Sequence, residues 1–197
     1  MKTLLQEDLI PYVEYERIRE TFRRRIIELK QRRRISVGEI ITLVFENLDT
    51  IQFQVQEMIR VERIFDPAKI QEELDVYNAL LPAPGELSAT LLIEITDPAR
   101  VKEDLDRLQG IDRDKTVALR AGPHAAYGLF ETGRSKEDKI SAVHFVRFRP
   151  DTAFITALAT PGTTVVVTVD HPAYQVTAPV PREMVEEWLA DLGRSSR

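Results

Sequence analysis

The chain has 197 residues, 43% hydrophobic and 30% charged, which is enough to bury a core without staples. It has no cysteine, which excludes disulfides, thiolate catalysis, iron–sulfur ligation and cysteine-based zinc sites. The net charge of −5 argues against the bulk chain as a nucleic-acid binder, and the absence of an 18-residue apolar run or a signal-peptide stretch points to the cytoplasm.

Residues 1–82 read as a helical half and 86–197 as an α+β half, packed as one unit. Leu81-Pro82-Ala83-Pro84-Gly85 is the breaker between them. The first helix is expected from Tyr12 to Arg33, because Tyr15, Ile18, Phe22, Ile26 and Leu29 step by three or four residues. From Glu16 to Arg34 nine Lys/Arg face three Glu, giving +6.

A second helix is expected to open at Ser36-Val37-Gly38-Glu39, read as a capping box. Val37, Ile40, Ile41, Val44, Leu48, Ile51, Val55, Met58 and Ile59 then share one stripe to about Arg63. The pattern predicts one long central helix; a break with Asp49 capping a second piece is the competing reading. Phe53, Glu57, Arg60 and Ile64 make a second stripe, so this helix is expected to be enclosed, with Glu57 and Arg60 paired out of water. Glu62 projects from the apolar line.

Asp66-Pro67 opens a third helix with the stripe Ile70, Leu74, Tyr77 and Leu81. From Phe45 to Asp75 eight acidic residues face three basic ones, giving −5, complementary to the first helix. The second half reads as strand Leu87–Ile95, a helix between Asp97-Pro98 and Gly110, and strands near Thr116–Arg120, Ala125–Glu131, Ile140–Phe148, Thr164–Val169 and Tyr174–Ala178. A last helix lies between Pro181 and Gly193. Short strands joined by tight turns predict a mainly antiparallel sheet with two helices behind a three-helix N-terminal layer, an α+β fold.

The arginine-rich helix suits an anionic partner such as RNA, a phosphate or an acidic protein surface. Pairing with the acidic helices is the favoured reading, because the charges match. Glu46, Glu57, Glu62 and Glu73 suggest a carboxylate metal site, but no Glu-x-x-His occurs and residues 1–82 hold no histidine. An ion-pair network with Arg60 and Arg63 is the favoured alternative, so no metal and no resident cofactor are expected. His144 lies on an apolar strand face, while His124 and His171 fall in turns. P-loop, Gly-x-Ser-x-Gly, Gly-x-Gly-x-x-Gly and His-Glu-x-x-His motifs are absent.

Arg32-Arg33-Arg34 through Gly38, Phe45-Glu46-Asn47-Leu48-Asp49-Thr50, Gln54-Val55-Gln56-Glu57-Met58, Arg60-Val61-Glu62-Arg63, Tyr77-Asn78 and Glu86-Leu87-Ser88-Ala89-Thr90 form a distinctive set. In these segments the chain resembles a bacterial domain-of-unknown-function family of about this length. Leu48 departs from the family, which usually has Arg there. Members are often encoded beside a rubrerythrin and a cysteine-rich iron–sulfur oxidoreductase. The resemblance therefore implies a peroxide or iron-redox setting, with this chain as an accessory protein that contacts one of those partners. The expected contact residues are Arg23, Arg24, Arg32, Arg33, Glu46, Asn47 and Asp49. The expected buried polar network is Glu57, Arg60, Glu62, Arg63 and Asn78. A carboxylate metal protein and an RNA binder are the alternatives.

Overall fold

The structure, a computed structural model, describes residues 3–113, 115–131 and 140–193. A 3-10 turn (Gln6–Asp8) precedes helix α1 (Tyr12–Arg33), strands β1 (Arg34–Val37) and β2 (Ile41–Glu46), and helices α2 (Leu48–Glu62) and α3 (Pro67–Asn78). Then come β3 (Leu87–Ile93), α4 (Val101–Arg107), β4 (Val117–Ala121), β5 (His124–Phe130) and β6 (Val143–Phe148). The chain continues through α5 (Thr152–Ala159), β7 (Val165–His171), β8 (Tyr174–Pro179) and α6 (Arg182–Gly193).

The eight strands make one antiparallel sheet in the order β1-β2-β3-β6-β5-β4-β7-β8. It curls into a nearly closed barrel. Across the remaining seam the Tyr174 hydroxyl donates to the Val37 carbonyl at 2.7 Å.

The rod expected from Ser36 to Arg63 is corrected: its first third is the β1–β2 hairpin. Gly38, at φ +78°, makes the turn where a capping box was read. The reason lies in burial. All six residues of β2 are buried, between the barrel core on one side and the helices on the other. A continuous apolar run of that length carries no periodicity to separate strand from helix. The true start of α2 is Asn47, whose side chain accepts from the Thr50 amide at 3.0 Å while the Thr50 hydroxyl accepts from the Asn47 amide at 2.9 Å. The break is therefore two residues before the competing Asp49 cap.

Two hydrophobic clusters follow. One fills the barrel with Phe45, Phe148, Leu91 and Val167 and is closed by Phe154, Met184, Trp188 and Leu192 from α5 and α6. The other sits outside it, where Leu4, Ile51, Val55, Ile59, Leu74, Leu80 and Leu81 pack the helical layer on Phe145 of β6. Strand β2, before α2 and α3, and strand β3, after the Pro82–Gly85 segment, pair in register, Phe45 opposite Ala89. Among its described residues the second half carries three helices, not two: α5 is opened by Asp151, whose carboxylate accepts from the Phe154 amide at 2.7 Å.

Candidate functional site

Three of the resemblance segments, Arg32-Arg33-Arg34, Phe45–Thr50 and Glu86–Thr90, meet at the junction between helical layer and barrel. Arg33 ends α1 and is wholly buried. Its Nε donates to the Phe45 carbonyl at 2.9 Å, and one terminal nitrogen donates to the Glu46 carbonyl at 3.4 Å and to the Asp191 carboxylate. The other donates to Glu187 at 2.8 Å, which Arg32 also reaches at 3.0 Å. One guanidinium thus ties α1, the end of β2 and α6 together. Burial opposes ionisation of Glu187, but its bonds from Arg32 and Arg33 outweigh that and hold it below the ordinary carboxylate range.

Glu46 lies beside this knot, buried against the outer face of the sheet. Its carboxylate accepts from the Thr50 hydroxyl at 2.6 Å, Gln54 at 3.1 Å and the Thr90 hydroxyl at 2.8 Å. Three neutral donors from α2 and β3 surround one carboxylate. Arg33, Glu46 and Asn47 were expected on a contact surface; that expectation is corrected, because each side chain is spent inside the junction. Asp49 is half-exposed and faces Arg25 at 3.5 Å.

Along the α1–α2 interface the charges pair as the complementary counts suggested. Glu57 accepts both bonds of the Arg19 fork at 2.7 Å and a third from the Tyr15 hydroxyl at 2.7 Å. Arg60 lies 3.9 Å from Glu57 and 3.5 Å from Glu16. Arg19, from the neighbouring helix, is therefore the main partner of Glu57. Its hydrogen bonds hold the Glu57 carboxyl below the ordinary range against the effect of burial, with Tyr15 adding to them. Burial, and then the bond to Glu57, pushes the Tyr15 phenol up.

Both glutamates lose protons more readily folded than unfolded. The stability they supply is complete above the ordinary glutamate value of 4.5 and drains away as pH falls below it. Thermal melts between about pH 5 and pH 3 are expected to show a falling Tm, and Glu57→Gln to show a shallower fall. Glu57→Ala is expected to cost about 1.5–3 kcal/mol at neutral pH, because the ion pair is only half-buried. Urea unfolding of the two proteins checks this.

Of the other expected network residues, Asn78 is half-buried and clamps Leu4, accepting from its amide at 2.8 Å and donating to its carbonyl at 2.9 Å. Gln56 holds Ile10 in the same way at 2.6 and 3.1 Å. Glu62 and Arg63 are corrected: both are exposed, because α2 stops there, with Arg63 in the left-handed conformation at φ 53°. Arg23 and Arg24 are open to solvent on the outer face of α1, and Arg32 is largely so. Glu46, Glu57, Glu62 and Glu73 do not converge, and no group of three His, Cys, Asp or Glu suited to a metal occurs among the described residues.

His171 spans Gln109 and Ala173, its Nε2 2.9 Å from the Gln109 carbonyl and its Nδ1 accepting from the Ala173 amide at 3.2 Å. His144 sits 2.7 Å from the Ser141 carbonyl. Both hold loops to the barrel. No helix among the described residues is long and apolar enough to cross a membrane.

Glu187, Asp191, Arg19 and Thr90 escaped sequence reasoning as site residues. The only sequence signal for the first two is their i,i+4 spacing on the last helix, which does not reveal a partner more than 150 residues away.

The far end of the helix pair is different in kind. The first turn of α1 meets the loop after α2 through Tyr12 and Phe65, their rings 5.1 Å apart and edge-on. Val13 (83%), Val61 (63%) and Phe65 (63%) are exposed at this end.

Solved structures hold a close likeness. A crystal structure described as a novel protein of unknown function from Burkholderia pseudomallei K96243 superposes with a TM-score of 0.89 at 33% identity, covering 97% of this chain and 100% of that one. No curated protein matches the chain. Residues 3–192 match the family described as protein of unknown function (DUF3501). With its whole barrel and helical layer inside that match, the chain belongs to the DUF3501 family.

Proposed function

We propose that the chain is an accessory protein that docks a rubrerythrin or a cysteine-rich iron–sulfur oxidoreductase, the proteins often encoded beside members of this family. The observation that carries the reading is the apolar end of the α1–α2 pair, where Val13, Val61 and Phe65 meet water instead of a core and half-buried Tyr12 stands against the Phe65 ring. Exposed apolar groups gathered within a polar surround are typical of protein contact sites. Glu14, Glu16 and Arg17 supply that surround, and Arg23 and Arg24 extend it along the outer face of α1.

The test is a pull-down of purified rubrerythrin and of the oxidoreductase with the full chain. Wild type is expected to retain one of them, and Phe65→Glu to lose at least about tenfold in affinity, the scale of a central contact residue. Its Tm should stay within about 1 °C of wild type, because an exposed side chain carries little folding energy. Arg23→Ala with Arg24→Ala is expected to change chiefly the salt dependence. Failure of the wild type to bind either protein overturns the reading.

A further inference from the structure

A second feature lies at the barrel seam, away from the α1–α2 end. The β1–β2 turn (Gly38, Glu39, Ile40), Ala173 of the β7–β8 turn, Tyr174 and Val176 of β8, and α4 line a cleft of about 410 Å³. Its apolar lining is Ile40, Leu108 and Val176. Its basic lining is Arg100, the N-cap of α4, and Arg107 at the helix's end, one turn before and one turn after Asp104.

Asp104 is buried, and its carboxylate lies 3.0 Å from Arg100 and 3.7 Å from Arg107. One carboxylate therefore positions two guanidiniums and neutralises only one of them. Both arginine side chains remain more than half exposed, so each keeps donors for a further acceptor. The Tyr174 hydroxyl is already engaged: it donates to the Val37 carbonyl and accepts from the Ile40 amide at 3.4 Å. Tyr174 thus offers its ring to the cleft. Gly38 permits this closeness, since a Cβ there would stand 2.1 Å from the Tyr174 hydroxyl.

We propose that this cleft binds a small organic anion with an apolar body, its charged group held by Arg100 and Arg107 and its body lying on Ile40, Leu108 and Val176. The guanidinium fork suits carboxylates, sulfonates and phosphates, and the volume suits a body of several carbons. Glu39 at the rim is the one opposing charge besides Asp104 among the lining residues, and it tunes the affinity downward.

The probes are 8-anilinonaphthalene-1-sulfonate, followed by fluorescence, and octanoate as competitor. The full-length protein is expected to bind the dye at a single site, and octanoate to displace it. Octanol and octylamine at equal concentration should not. Arg100→Gln and Arg107→Gln, each leaving the other arginine on Asp104, are expected to weaken dye and octanoate binding by about tenfold or more. Glu39→Gln is expected to strengthen both. Unchanged Tm in the variants separates lost binding from lost folding. Dye binding that is equal in all four proteins overturns the proposal, as does displacement by octanol as efficient as by octanoate. Pull-down with the partner proteins is unaffected by these substitutions, so the two readings fail separately.

Discussion

Arg33→Met is expected to destabilise the protein by about 3–5 kcal/mol, a fall in Tm of about 10 °C for a domain of this size. The replacement keeps the length and apolar stem of the side chain, so the loss is not mainly one of packing. It removes the donors of the Phe45 and Glu46 carbonyls and the cation facing Glu187 and Asp191. Asp191 is then left nearly buried without that cation, which is the costly way to break such a cluster. Adding Glu187→Gln and Asp191→Asn to Arg33→Met should recover part of the loss, because the two carboxylates that faced the lost cation are then neutral. Urea unfolding of the single and triple variants measures both values. A loss below about 1 kcal/mol would assign the knot to the surface class of ion pairs.

Trp188→Ala is expected to cost about 3–5 kcal/mol, the range for emptying a large aromatic site in a core. Trp188 is wholly buried, with its ring 4.6 Å from Phe45, and plugs the barrel from α6. Its indole N–H has no hydrogen-bond partner among the described residues. Trp188→Phe removes that buried donor while keeping most of the ring, so the expected cost is below about 1.5 kcal/mol. Comparing the two variants by urea unfolding separates the value of filling the barrel from the value of the indole nitrogen. Equal losses would mean that the indole shape itself is required.

How far the sequence told its fold depends on the kind of signal. Helix α1 runs from Tyr12 to Arg33 as its stripe implied, because the helix shows one face to water and keeps a clean period. Helix α3 begins at Pro67 with Asp66 as its cap, because an N-cap with Pro at the first helical position is a local signal. Six later strands were legible from β-branched runs between turns. The β1–β2 hairpin was not, because β2 is covered on both faces, and only the sheet decides its form. Helix α5 was missed although Asp151 announced it.

The site divides along the same line. The match between a basic first helix and the acidic stretch of the second and third was readable by counting, and Arg19–Glu57 and Arg25–Asp49 realise it. Which arginine takes which acid was not readable, since partners on different helices follow from how the helices cross. The segment Phe45–Thr50, so distinctive in its polar identities, reads as a surface until the fold shows it building a junction: core ring, buried carboxylate, helix cap and capping hydroxyl in succession.

The near-closure of the barrel has a kinetic consequence. Its seam joins Val37 to Tyr174, 137 positions apart, and the Arg33 knot spans 158. Links of that span are the slow kind to form: the seam waits for β8 and the knot for α6. Until then the first hairpin has a bare edge and Arg33 has no acids to meet.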